Sequence, residues 1–371
     1  MSEPIVRIAA RGDGVTANGR HAAFAAPGDL LHDDGTLERG PGYQLPPCRH
    51  FPTCGGCQLQ HLTDPAYAAY CEQRITGALA QHGEETKFSP ALLSRPRTRR
   101  RASLHALRSG GGVAIGFHEA GSKRVVDLHE CHVLTPELFA LLQPLRGLLA
   151  TMLRAKRLAT IQLTLADQGV DVGLAGIEAD GFAAAEALTT FGERHNLARL
   201  SLDEGYGAEV RYEPVPATVT LSGIPVALPV GAFLQATRDG EEALIAAVRE
   251  AVGGAGRTAD LFAGLGTFAL ALDGAVTAAE ASREAVLSLK SAAARAGRPL
   301  TTAHRDLYRN PFQPTELAGF DAVVLDPPRA GAHEQVTALA ASSVARIAYV
   351  SCNPATFARD AETLAKGGYR L

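Results

Sequence analysis

Residues 257–297 read RTADLFAGLGTFALALDGAVTAAEASREAVLSLKSAAARAG. RTADLFAGLGTFALAL (257–272) predicts a strand, a glycine turn and a helix. AVTAAEAS (275–282) predicts a strand and a turn, and REAVLSLKSAAARAG a helix. The same alternation extends on both sides. EEALIAAVREAV (241–252) is amphipathic at helical spacing. FDAVVLDPPRAG (320–331) reads as strand then loop, and ARIAYVSCNPATFARD (345–360) as strand, loop and helix. Strands alternating with helices imply a parallel, doubly wound α/β sheet over residues 231–371. Such sheets hold ligands at the carboxyl ends of their strands.

Those ends carry the chemistry. Gly264 and Gly266 follow the first strand, where a bare backbone permits a sharp turn and a close ligand. Glu280 ends the second strand, a position suited to ribose hydroxyls and equally to a helix N-terminus. Asp306 follows the third strand region, beside an adenine or as a cap. Together they fit a nucleoside cofactor, a dinucleotide or S-adenosylmethionine. Asp326 leaves the fourth strand ahead of two stiffening prolines. Cys352 leaves the fifth, and Asn353-Pro354 turns the chain into a helix behind it. A thiol at such a place is favoured as a nucleophilic thiolate over a buried small hydrophobe.

Ahead of this domain the pattern differs. Residues 1–45 read as short strands punctuated by Gly12, Gly14, Gly19 and Gly28, too few to enclose a core alone. Residues 46–230 mix a helix at Pro65–His82, strands over 97–126, a helix near Pro136–Leu153, strands near Thr160–Leu165 and Val170–Leu174, and helical FAAAEALTTFGERH (182–195). CRHFPTCGGCQLQH (48–61) places Cys48, Cys54 and Cys57 within ten residues, with Gly55-Gly56 between two of them. Sulfurs this close suit a soft metal centre, with Cys131 of LHECHVL the natural fourth ligand. Tetrahedral zinc, with His50 or His61, stays open on spacing alone. Cys71, in AYAAYCEQR, reads as a plain core or surface thiol.

The 371 residues carry a net charge of −3, so contact with nucleic acid must be local. Arg95, Arg97, Arg99, Arg100 and Arg101 are the local candidate, against a plain solvated basic run. No apolar run reaches the ~18 residues of a membrane helix, and no signal-peptide core opens the chain. A cytoplasmic protein without membrane or DNA partners is expected.

DPPRAG followed by SCNPATFARD resembles the signature pair of the RNA uracil-5-methyltransferase family, a class of S-adenosylmethionine-dependent enzymes. GAFLQAT (231–237) and DLFAGLGTF (260–268) resemble its way into the catalytic domain and its cofactor loop. The resemblance covers roughly residues 46–371. It implies that Cys352 adds to C6 of a uridine, making C5 an enolate carbon able to take a methyl group. It further implies that Gln235, Phe262, Thr267, Glu280, Asp306 and Asp326 line the cofactor and base pockets. Thr267 departs from the asparagine common in the family. The four cysteines resemble the set that holds a 4Fe-4S cluster in the 23S ribosomal RNA branch, which favours ribosomal over transfer RNA. The arginine run matches a segment that faces RNA, and residues 1–45 a cut-down RNA-binding (TRAM-like) barrel too short to close. Rival readings are a small-molecule or protein methyltransferase, which would not need Cys352, and an iron–sulfur RNA-binding protein with a silent catalytic domain.

Family members continue beyond GGYRL (367–371) through two strands that carry a glutamate base. Nothing in this sequence matches that glutamate. The expectation is a sheet without its final hairpin, an exposed fifth strand, poor solubility and turnover stalled at the covalent adduct.

Overall fold

The computed structural model describes residues 2–371. Five short strands open the chain: β1 (Ser2–Ile8), β2 (Gly14–Thr16), β3 (His21–Ala22), β4 (Leu30–His32) and β5 (Leu37–Glu38). They form one antiparallel sheet in the order β3-β2-β1-β4-β5. Among the described residues β3 and β5 do not pair, so the sheet is not closed by hydrogen bonds. Its inner residues are few: Ile5, Ala22, Ala25 and Leu31. A second small cluster, Ile8 with Ala26, is completed by Leu62 from the segment after the cysteines. The expected shortage of core is met by borrowing from the neighbouring segment.

Helix α1 (Asp64–Ala80) follows the cysteine loop. A six-stranded mixed sheet comes next, built from β6 (Arg101–Ser109), β7 (Gly112–Gly116), β8 (Leu158–Ala166), β9 (Gly169–Ala175), β10 (Arg199–Asp203) and β11 (Ala208–Tyr212), in the order β11-β10-β9-β8-β6-β7. The single helix expected near 136–153 is two, α2 (Pro136–Ala140) and α3 (Leu142–Met152). Leu138 of α2, Leu142, Leu145 and Leu149 of α3, and Leu188 and Phe191 of α4 (Gly181–Arg194) pack on Leu104, Ala106, Ile161 and Leu163. The alternation along β6 and β8 puts these residues on one face.

A hairpin of β12 (Thr218–Leu221) and β13 (Ile224–Ala227) leads to α5 (Arg238–Val252), whose N-cap Thr237 accepts from the Gly240 N–H at 3.1 Å. The last sheet is parallel throughout. It holds β14 (Arg257–Leu261), β15 (Ala275–Glu280), β16 (Leu300–His304), β17 (Ala322–Leu325) and β18 (Arg346–Tyr349), in the order β16-β15-β14-β17-β18. Helices α6 (Arg283–Arg295), α7 (Pro314–Leu317), α8 (His333–Ala340) and α9 (Pro354–Lys366) connect and cover it. This is the doubly wound α/β architecture expected, and its strand order reverses between β14 and β17, where such folds bind ligands.

One predicted helix is absent. After Gly264 the chain makes successive turns through Ala271. In a helix the Ala269 N–H would bond the Leu265 carbonyl. Here it donates to Asp260 Oδ2 at 2.8 Å instead, so a carboxylate at the end of β14 diverts the ladder. No helix among the described residues is long and apolar enough to cross a membrane.

Candidate active site

The loops after β17 and β18 carry Asp326 and Cys352, and hydrogen bonds join them. Asn353 Nδ2 donates to the Arg329 carbonyl at 3.1 Å, and Thr356 Oγ1 to the same oxygen at 3.4 Å. Arg359 Nη2 reaches the Ala330 carbonyl at 3.3 Å. Beneath them Asp360, fully buried, accepts from the Ala332 N–H at 2.9 Å and from the Tyr349 hydroxyl at 2.7 Å. Gly331 has φ +84°, and a Cβ there would stand 2.7 Å from Asp360 Oδ2 and Arg359 Nη2. Only glycine fits both the turn and the approach. Asn353 also caps α9, its Oδ1 accepting from the Ala355 N–H at 3.2 Å. Cys352 stands exposed on this frame, one residue ahead of the cap.

Asp326 faces the segment that precedes α5. Gln235 Nε2 donates to Asp326 Oδ2 at 3.1 Å. Burial pushes the Asp326 carboxyl up to about 6, opposed by that hydrogen bond. Gln235 is itself gripped from the six-stranded sheet. Arg100 donates from Nε to the Gln235 carbonyl at 3.0 Å and from its backbone N–H to the Ala236 carbonyl at 2.9 Å, and its Nη2 pairs with Glu241 at 2.5 Å. Arg100 is 4% exposed. The arginine run is therefore not one basic surface: Arg95, Arg97 and Arg99 are exposed, Arg101 lies half-buried over the Phe233 ring, and Arg100 is an internal strut.

The glycine loop sits across β14. Glu280 accepts from the Gly264 N–H at 2.9 Å and from the Ser282 N–H at 2.7 Å, so its carboxylate braces the loop and the start of α6. A Cβ on Gly264 would meet open space, which leaves room for a ligand against this backbone. Phe262 has φ +64° and its ring lies 5.5 Å from that of Tyr308, whose hydroxyl donates to the Gly331 carbonyl at 3.0 Å. Thr267 is half-buried on the same turn. Asp306 caps a turn, accepting from the Tyr308 N–H at 3.0 Å and the Arg309 N–H at 3.4 Å.

Sequence reasoning missed Asp260. It is fully buried, and one oxygen, Oδ1, has no hydrogen-bond partner among the described residues. Burial first, then the charges of Asp326 and Glu280, push its carboxyl up to about 8. Asp260, Asp326 and Glu280 thus act on one another where the strand order reverses, and Asp260 keeps its proton at neutral pH. An aspartate inside the apolar run ADLFA was the available signal. Tyr308, Asp360 and Arg359 were missed too, since their roles depend on partners far along the chain.

Cys48, Cys54, Cys57 and Cys131 line one small cavity with Phe51, Phe117 and Leu128. Burial pushes the Cys48, Cys54 and Cys57 thiols up, and each is raised further by the charge of Cys131. The loop is clipped down by the Gly55 N–H to the His118 carbonyl at 2.9 Å and by the Arg49 N–H to Glu130 at 2.5 Å. A Cβ on Gly56 would stand 2.7 Å from the Phe117 ring. Among the described residues no group of three or more His, Cys, Asp or Glu is spaced to hold a metal ion. The four thiols share the lining of that cavity and suit a soft centre in kind, but they are not gathered as a metal site. His50 accepts the His129 N–H at 3.0 Å through Nε2, and His61 is fully buried between Phe24 and Phe51. Both placements tell against the zinc alternative. Cys71 lies on α1, outside this cavity.

Comparison with known proteins agrees with this geometry. The family model described as tRNA (Uracil-5-)-methyltransferase matches residues 309–368. Over 370 residues the chain is 47% identical to a Zymomonas mobilis protein named as an uncharacterized RNA methyltransferase, covering 99% of this chain and 93% of that one. It is 31% identical over 393 residues to the 23S rRNA (uracil(1939)-C(5))-methyltransferase of Bordetella avium, covering 94% and 81%. The solved Pyrococcus abyssi tRNA (uracil-54, C5)-methyltransferase, in complex with S-adenosyl-L-homocysteine, superposes with a TM-score of 0.75 at 22% identity, covering 98% and 93%, a likeness of fold. By these relatives and by its own sheet, the chain belongs to the RNA (uracil-5-)-methyltransferase family.

Proposed function

We propose that this protein methylates C5 of a uridine in 23S ribosomal RNA, with S-adenosylmethionine as methyl donor and Cys352 as covalent catalyst. The observation that carries the reading is the exposed Cys352 thiol on a loop bonded to the one bearing Asp326. The thiolate adds to C6 and the C5–C6 π electrons move toward O4. C5 then takes the methyl group, S-adenosylhomocysteine leaves, a base removes the C5 proton, and the C6–S bond breaks to restore the double bond. The target nucleotide must leave its stack to reach this rim. Gln235, Phe262, Thr267, Glu280, Asp306 and Asp326 are the proposed lining of the cofactor and uracil pockets. Ribosomal over transfer RNA is favoured by the four cysteines and by the Bordetella relative. The Pyrococcus structural neighbour is a transfer RNA enzyme, which keeps the alternative in view.

We extend the proposal to a 4Fe-4S cluster on Cys48, Cys54, Cys57 and Cys131. Its support is four thiols around one cavity. Methyl transfer to uracil needs no electron, so the proposed service of the cluster is to hold its loop in shape.

The test is Cys352→Ala. The variant should bind S-adenosylmethionine near normally and transfer no methyl group to ribosomal RNA. Turnover close to that of the parent protein would overturn the assignment. Mass mapping of ribosomal and transfer RNA from cells lacking the protein decides between the two substrates: an unmethylated uridine in transfer RNA alone would refute the ribosomal reading.

A further inference from the structure

Helices α2, α3 and α4 pack on one face of the six-stranded sheet. On β6 and β8 the opposite face presents the pair Ser103 and Gln162, both exposed, then His105 and Thr160, half-buried, then Leu107 with the exposed Leu158. The His105 ring stacks on His118 at 3.8 Å, flat against it, at the β7 edge. No carboxylate lies on this strip of β6 and β8.

Cations stand at both ends. At the cleft end are Arg97 and Arg99, exposed, and Arg101 over Phe233. At the far end Arg154, Lys156 and Arg157 are all exposed in the turn before β8, and the Lys156 N–H bonds the Arg108 carbonyl at 3.0 Å, which fixes that turn to the end of β6. Arg154 pairs with Glu178, whereas Lys156 and Arg157 have no acidic partner among the described residues. In a chain of net charge −3, two unpaired cations beside each other at the end of a neutral strip are a local departure. From Arg101 to Arg108 the strand advances about 24 Å at ~3.4 Å per residue.

We propose that this strip is the track for the RNA flanking the target nucleotide, running from Arg97 and Arg101 at the cleft to Lys156 and Arg157 at the far end. Phosphates pair with the two cation groups, and the neutral strip between accepts the chain without repelling it. The inference rests on RNA being the substrate and adds where the strand lies and how much of it is bound.

The experiment compares two uridine-containing RNAs, one of roughly 20 nucleotides and a uridine-centred trinucleotide, whose two internucleotide links fall short of the ~24 Å from Arg101 to Arg108 even when fully extended. Lys156→Ala with Arg157→Ala should weaken binding of the long RNA and flatten its salt dependence by about 1.4 in log–log slope, ~0.7 for each lost single-strand contact. Methylation of the short RNA and affinity for S-adenosylmethionine should stay at parental levels. Lys156→Arg with Arg157→Lys should keep the parental slope. Ser103→Glu, which sets a charge in mid-strip, should weaken the long RNA as well. An unchanged slope in the double alanine variant, equal loss on both RNAs, or an indifferent Ser103→Glu would each overturn the track. Failure of the parent protein to bind either RNA would overturn the substrate reading, and this inference with it.

Discussion

Asp260→Asn is the perturbation whose size the structure fixes best. The Asp260 carboxyl is fully buried and pushed up to about 8, from 3.8 for an ordinary aspartate, chiefly by burial. Between those values the folded protein holds the proton and the unfolded chain has released it. Stability therefore falls as pH rises through this window, by at most about 1.4 kcal/mol per unit. Across the window the loss has an upper bound of roughly 6 kcal/mol, present in full above pH 8 and absent below pH 4. The asparagine keeps a carbonyl oxygen for the Ala269 N–H and cannot titrate. Urea unfolding followed by circular dichroism from pH 5 to pH 8 should show the variant gaining on the parent steadily with pH. The glycine loop should keep its shape, so affinity for S-adenosylmethionine should change little, whereas Asp260→Ala, which drops the tether to Ala269, should weaken it. Parallel stability curves for parent and asparagine variant would refute the argument, because they would mean that the group titrates alike folded and unfolded.

Two further outcomes follow from the same geometry. Glu241→Gln strands the Arg100 guanidinium, 4% exposed, without its anion. It should cost about 3–5 kcal/mol in chemical unfolding, and pairing it with Arg100→Met should recover most of that; an exposed pair would lose under about 1 kcal/mol and refute the strut. Protein purified without oxygen should be brown and hold about four irons per chain, falling away in Cys57→Ser. Stoichiometric zinc without iron would sink the cluster.

The parallel sheet was legible because its strands and helices alternate and its glycines and prolines mark the turns. The places of Asp326 and Cys352, just after β17 and β18, were legible for the same reason: each follows an apolar run. Arg100 was not. Its neighbours Arg99 and Arg101 are the same residue type, and burial depends on Glu241, far along the chain. The missing helix after Gly264 was hidden likewise: propensity favours it, but Gly264 and Gly266 turn to positive φ and the carboxylate of Asp260 takes the Ala269 N–H. For the first 45 residues composition predicted too little core, and the structure supplies Leu62 from the next segment.

The loops that carry Asp326 and Cys352 are braced from outside their own sheet on two sides, and both braces come from the cysteine-bearing half of the chain. On one side Arg100 grips the backbone of Gln235, which reaches Asp326. On the other, α1 lies against α9. Leu79, Ile75 and Ala78 pack on Phe357, Ala358 and Ala361, and His82 shares a 2.6 Å hydrogen bond with Glu362. Helix α1 starts at Asp64, just past Cys57, and α9 starts at Pro354, just past Cys352. Helix α1 thereby links the segment of the cysteine loop to the helix behind Cys352. On the proposed cluster, tightening of the four-thiol loop would act on the helix behind Cys352 through α1, and Cys57→Ser should then loosen α9 as well as lose iron.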